Sequence, residues 1–478
     1  MDLMGYNNSI YFKVDIMDTI FFFVILLFLL VFMPSRESEF NENLIIFYSV
    51  VYFLALIYHF LRQSRNTRNW LRFDVLFLTG YSIVHIQIPL LAAIGFDPER
   101  PHWVWVNKGV VNFGTWLSVF AIVLWMWGYS SIKMSLYRSC SHPLAPNYSN
   151  TSILDFLLVL FFGLFILTAG SSLFSGTYDG GQSWGGGAVY VFLILNSIIF
   201  LRTIYFVKNL KGKGGFRALS HGFIFNPVYL ISLLLYAGLF LFAGDRGPVL
   251  RIVLVFIGAY AIFLNPISIK TLSVFIVVGA LMFSIVGMGR VRDVGDLEGA
   301  NLFVRGYGEM VESGDFNITN ELATSNRILF MALDMVPGRH SYLYGSTYLL
   351  NITGVVPFLT GIIVDFASIP REYRGTAQFF TVASLGRDST VGVGSEIISD
   401  IYVNFGIFGV FLIMALFGRI SALIQLKSSH GNHVFVIISL ILLSEALSMN
   451  RGMLLYPLKS ISYTLLVNYL VSKLRIGK

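Results

Sequence analysis

The chain has 478 residues, 56% of them hydrophobic and only 12% charged, and a mean hydropathy of +0.73. That balance excludes a soluble domain of this size, whose water-facing surface would need far more charge. The net charge is +7, but the cations are spread over loops and form no groove or recognisable module, so no nucleic-acid partner is expected.

A helix that crosses a hydrocarbon core needs roughly 20 apolar residues, because irregular backbone would leave its N–H and C=O groups without partners in lipid. Twelve stretches read as such helices: Ile16 to Met33, Leu44 to Leu61, Phe73 to Gly95, Val110 to Tyr129, Ile153 to Phe174, Gly187 to Val207, Phe223 to Ala243, Pro248 to Leu264, Leu272 to Met288, Ile401 to Leu423, Val434 to Leu447 and Met453 to Val471. The fold class expected is therefore all-α and polytopic. About nine helices occupy residues 1–288, a long polar loop spans 289–399, and about three helices fill 400–478. The first stretch has no small-residue cleavage site behind it, since Met33-Pro34-Ser35 runs into Arg36 and Glu37, and it is taken as a retained helix. The single Cys140 allows neither a disulfide framework nor a cysteine metal site.

Lys and Arg in short loops stay on the cytoplasmic side. Arg62, Arg65, Arg68 and Arg72 follow the second stretch, Lys133 and Arg138 the fourth, and Lys208, Lys211, Lys213 and Arg217 the sixth, whereas the alternate loops lack this enrichment. Both termini are then expected in the cytoplasm and the long loop outside it. Most titratable residues fall at helix ends or in loops, with His59, His85 and Glu445 as exceptions that are expected to be hydrogen-bonded. No short internal repeat and no pair of inverted halves is evident, which weakens a transporter reading.

Gly244-Asp245-Arg246-Gly247-Pro248 forms an abrupt turn between two stretches. It has two readings: a turn locked by the Asp-Arg pair, or a guanidinium held at the membrane surface to grip an anionic head group. The long loop carries eight arginines, Arg290, Arg292, Arg305, Arg327, Arg339, Arg371, Arg374 and Arg387, and no lysine. Solvation alone would not demand that choice. Arg binds phosphate oxygens in pairs through its planar fork, so the bias points to phosphate, pyrophosphate or carboxylate recognition. Carboxylates are interleaved, and one or two could take a proton from a sugar hydroxyl. Tyr348 to Phe366 is apolar around Pro357, and Asn326 to Val336 is amphipathic; both read as helices lying on or dipping into the interface to roof a cavity. Aromatic residues of the outer loops, including Trp103, Trp105, Trp184, Tyr342, Tyr344 and Tyr348, suit interfacial anchoring or stacking on sugars.

The layout resembles the Wzy-type polymerases of O-antigen and related oligosaccharide repeat units. The resemblance rests on the turn at 244–248, the large loop before the last helices, Gly345-Ser-Thr-Tyr348 leading to Pro357, and the loop exit Gly392-Val-Gly-Ser-Glu396 followed by Tyr402-Val-Asn-Phe-Gly406 and Gly409. Arg327 and Gly338 also share an Arg-to-Gly spacing found in outer loops of some members.

This resemblance implies a metal-independent glycosyltransferase, without cofactor, at the outer face of the bacterial cytoplasmic membrane. A glycan on undecaprenyl pyrophosphate moves onto the nonreducing end of another lipid-linked repeat unit, releasing undecaprenyl pyrophosphate. Membrane lipid and a chain-length regulator protein are the further partners expected. Arg246, Arg290, Arg292, Arg327, Arg339, Tyr348, Tyr402 and Asn404 are expected to bind pyrophosphate or substrate, with Glu396, His340 and Asp245 as catalytic candidates. Glu396 stands four residues before Asp400, a spacing that puts both carboxylates on one helix face. A helical bundle similar to the GT-C glycosyltransferases is implied by analogy. The alternatives are an O-antigen ligase and, from another class, a lipid-linked oligosaccharide flippase.

Overall fold

The computed structural model describes residues 16–64, 68–96, 105, 107–132, 151–170, 184, 187–210, 215–243, 245–288, 302–313, 319–389 and 392–474. Among these residues there are helices and turns and no strand. Each of the twelve apolar stretches contains a helix. They are α1 (Ile16–Val31), α2 (Glu42–Ser64), α3 (Phe73–Ala93), α4 (Val111–Ser130), α5 (Thr151–Ala169), α6 (Ala188–Asn209), α8 (Pro227–Phe242), α9 (Gly247–Phe263), α10 (Ile269–Met288), α16 (Ile397–Ser429), α17 (His433–Glu445) and α18 (Pro457–Lys473). Amphipathic α7 (Phe216–Ile224) precedes α8 at an angle of 98°; Pro227 starts α8 at a position where its missing N–H costs nothing. Six of the helices are long and apolar enough to cross a membrane, and the bent pair would make a seventh. The helices α1, α9, α10 and α17 are apolar but shorter.

Helix α4 is the axis of the bundle. Trp116 and Trp125 are fully buried along it, and it crosses α16 with the two backbones in contact. A Cβ on Gly128 would stand 2.0 Å from the Ala415 carbonyl oxygen, and one on Gly418 would stand 2.0 Å from that of Trp125. Small residues at both sides of the crossing let apolar helices approach closely, a device suited to lipid, where burial alone drives little association. Further along, α16 breaks at Gly406, whose φ of 66° and ψ of −167° suit glycine. The break frees the Val403 carbonyl, and the Leu343 N–H donates to it at 2.8 Å.

The polar segment folds onto one end of the bundle, the loop end. Its helices are α11 (Leu302–Ser313), α12 (Arg327–Met335), α13 (Ser346–Thr353), α14 (Leu359–Phe366) and α15 (Thr376–Leu385). The apolar stretch around Pro357 is thus two short helices separated at the proline, and the amphipathic stretch is α12. Arg36 clamps α12 by donating to the carbonyls of Leu333, at 2.6 Å, and Val336. Asn107 donates to Asp334 at 2.9 Å. Thr319 donates to Gln87 at 2.9 Å, and Asn326 to the His85 carbonyl at 3.3 Å, so the segment reaches the one-turn π-helix Ser82–Ile86 inside α3.

Candidate functional site

The turn after α8 places Asp245 and Arg246 at the loop end. The Asp245 carboxylate accepts from the Gly247 N–H at 3.1 Å, which ties the turn, while Arg246 projects as the residue just before α9. Arg246 pairs with one carboxylate oxygen of Glu321, and Arg451 donates to the other at 3.1 Å. Glu321 comes from the single helical turn Asn320–Ala323. Arg451 comes from the 3-10 turn Ser448–Arg451 between α17 and α18. Arg327, at the start of α12, is half-buried near Arg451; burial first, and the Arg451 charge second, lower its guanidinium pKa. Arg251 lies farther into α9, 2.9 Å from Glu445, and also donates to Tyr456. Glu445 accepts from Ser448 at 2.9 Å.

Four guanidiniums from three separate chain regions therefore lie with three carboxylates: Glu321 and Glu445 pair with arginines, Asp245 ties its own turn, and the formal charge of these seven groups is +1. The Glu321 and Arg451 side chains are 43% and 41% exposed, so the Glu321–Arg451 pair opens to solvent. Such an arrangement can bind an anion and stabilise negative charge that develops on a phosphate leaving group.

Of the expected anion-binding residues, Arg246 meets Arg451 across Glu321, and Arg327 lies near the same Arg451. Arg290 and Arg292 lie outside the described residues, as do Gly244 of the turn motif and Cys140. Arg339 is elsewhere. It pairs with Asp334 at 2.6 Å beyond the far end of α12, with 65% of its side chain exposed, and at about 1.5 Å per residue this nine-residue helix separates its two ends by about 12 Å. His340 beside it packs edge-on against Phe379 at 5.6 Å. A joint grip by Arg327 and Arg339 is therefore not what the fold provides, because α12 stands between them.

The loop exit is buried. Glu396 is fully covered and caps α16, accepting from the Ile398 and Ser399 N–H groups at 2.6 and 2.7 Å, with His85 3.1 Å from the same oxygen that meets Ile398. Asp400 lies one turn on, its N–H donating to the Glu396 carbonyl at 2.8 Å. The Asp400 carboxylate accepts from Thr376 at 2.8 Å, from the Leu454 N–H at 3.0 Å and from Tyr348 at 3.0 Å. Burial, and then the Asp400 charge, push the Tyr348 phenol well above its ordinary pKa, so it remains a donor. Asn404 holds the Asp400 carbonyl and Thr347, and Tyr402 donates to the Val336 carbonyl at 2.9 Å. Tyr348, Tyr402, Asn404 and Glu396 thus fasten the loop to α16. Tyr342 and Tyr344, with Phe405 and Phe408, line a groove of about 490 Å³ at the Gly406 break that no arginine enters.

Sequence reasoning left Arg251, Arg451 and Tyr456 unassigned. The signal for Arg251 was a charge inside an otherwise apolar helix, five residues after Arg246. The signal for Arg451 was the polar break Ser448-Met-Asn-Arg-Gly452 between two apolar stretches. Among the described residues no three His, Cys, Asp or Glu side chains converge as metal ligands. No family model, no curated protein and no solved structure matches this chain.

Proposed function

We propose that the chain polymerises lipid-linked oligosaccharide repeat units, transferring a glycan from undecaprenyl pyrophosphate to the nonreducing end of a second lipid-linked unit. The observation that carries the proposal is the arginine site: Arg246, Arg251, Arg327 and Arg451 gathered at one end of an apolar helical bundle, under the helices of a polar loop. In this reading the twelve apolar helices cross the bacterial cytoplasmic membrane in a GT-C-like bundle, both termini are cytoplasmic, and the loop end faces outward. The arginines hold the two phosphates of the donor and stabilise the leaving pyrophosphate as the glycosidic carbon departs from it. The Wzy-type resemblance at 244–248 supports the same reading, because that motif supplies Arg246.

Within the proposal the roles of the loop-exit residues change from contact to support. Glu396 and Asp400 hold the start of α16 against α3, α13, α15 and the Leu454 backbone, three residues beyond Arg451. The test is direct. Purified protein given a synthetic lipid-pyrophosphate repeat unit yields a ladder of chain lengths; failure across many repeat structures, beside active control enzymes, removes the reading. A deletion strain separates it from the alternatives, since single-repeat products mark loss of a polymerase, whereas absence of attached glycan marks loss of a ligase or flippase.

A further inference from the structure

Glu321 is, among the described residues, the one carboxylate that bridges two arginines at this site. One of its oxygens faces Arg246 and the other faces Arg451, groups that belong to different chain regions. A phosphate oxygen pair would make the same two contacts. The turn beneath it is fixed: Ala323 and Asn326 are buried, and Asn326 is tied to the His85 carbonyl. The Glu321 side chain itself is 43% exposed, so solvent and an incoming anion reach it from outside that turn.

The charge balance points the same way. With Glu321 in place the seven named groups carry a formal charge of +1, and with its carboxylate withdrawn the remaining six carry +2. A diphosphate diester bears roughly two negative charges, one per phosphate. Exposed ion pairs of this kind hold only weakly, so a ligand with two ionised phosphates outcompetes one carboxylate.

We infer that Glu321 is a resident anion that occupies the arginine site in the unliganded protein and is displaced from it by the diphosphate of the substrate. The inference rests on the proposed function only in taking the arginines as a diphosphate site. It makes Glu321 a gate on entry: its carboxylate competes with any incoming anion for Arg246 and Arg451, and a doubly charged head group displaces it more readily than a singly charged one.

The experiment compares wild type with Glu321→Gln, full-length and in nanodiscs of zwitterionic lipid, by titration calorimetry with inorganic pyrophosphate, orthophosphate and farnesyl diphosphate. Glu321→Gln is expected to bind pyrophosphate and farnesyl diphosphate about fivefold more tightly than wild type. It is also expected to gain affinity for phosphatidylglycerol relative to wild type. Glu321→Ser provides the same comparison should the Gln variant fold poorly, as judged by thermal unfolding. If wild type binds pyrophosphate and both variants bind it equally or more weakly, Glu321 positions the arginines and the displacement idea is overturned while the diphosphate site stands. If neither wild type nor the variants bind any diphosphate, the site reading fails along with it. Tighter diphosphate binding by the variants in a protein that makes no polymer supports the inference and rejects only the polymerase.

Discussion

At the end of the bundle opposite the loop, arginines and aspartates meet one to one. Arg72 donates to both oxygens of Asp74, at 2.9 and 2.6 Å, with His59 3.2 Å away on the other side, and the Arg72 and Asp74 side chains are 5% and 0% exposed. Arg202 meets Asp155 at 2.7 Å and Asn226 at 2.7 Å beneath the ring of Tyr229, and Arg62 meets Asp18 at 2.7 Å. At the loop end, Arg246 and Arg451 divide a single exposed carboxylate, with Arg327 beside them. The same residue types serve two purposes. A compensated pair sealed among helices fixes their packing, since removing one partner strands a charge. A group of arginines that share a carboxylate at a solvent-facing end contributes little to packing and keeps hydrogen-bonding capacity for a ligand.

The largest expected effect falls at the sealed end. Asp74→Asn leaves Arg72 buried without its counter-charge and should cost roughly 3 to 5 kcal/mol of stability, seen as a steep fall in thermal unfolding midpoint and in yield from the membrane. A midpoint equal to that of wild type would show that this pair is no more structural than the one at the loop end.

Next in size is Arg246→Ala. Removing each charge-assisted hydrogen bond to the ligand should weaken pyrophosphate binding by roughly 1.5 to 3 kcal/mol and stop chain extension, while the unfolding midpoint moves little. Arg246→Lys should recover binding only in part, because a point charge does not replace a two-pronged fork. Arg339→Ala, which removes a guanidinium that is 65% exposed and lies beyond the far end of α12, serves as the control and should leave pyrophosphate binding unchanged. Complete recovery in the Lys variant would discard the bidentate contact.

Glu396→Ala addresses the loop exit. As the cap of α16, Glu396 should contribute about 0.5 to 2 kcal/mol to stability, and its loss should lower the unfolding midpoint while leaving pyrophosphate affinity unchanged. Arrested chain extension at an unchanged midpoint would return Glu396 to a role as general base.

The smallest effect is a pH dependence in the loop. Glu372 is held below its usual pKa, first by its own backbone N–H and then by a hydrogen bond from Arg387. An acid whose folded pKa is lowered stabilises the fold above its unfolded value and loses that contribution as pH falls through the folded one. The midpoint difference between wild type and Glu372→Gln should therefore be present at pH 7, shrink as the pH falls below the ordinary glutamate range and vanish only once the lowered folded pKa is passed. A difference that persists undiminished at low pH would mean that the ion pair is not its source.

Much of the frame is legible in the sequence because hydrophobic length is a local property. All twelve helices lie where the apolar runs lie, and α12, α13 and α14 follow the amphipathic run and the two halves around Pro357. The abundance of arginine in the loop was also visible. Which arginines converge was not, because that depends on contacts between distant segments: Arg246 and Glu321 are 75 residues apart, and Glu321 and Arg451 are 130 apart. The burial of Glu396 was hidden for the same reason, since only the π-turn of α3 brings His85 against the start of α16. A sequence records how strongly each segment favours helix and lipid; the partners of each charge are chosen when the backbones of α4 and α16 close at Gly128 and Gly418 and draw the chain's two halves together.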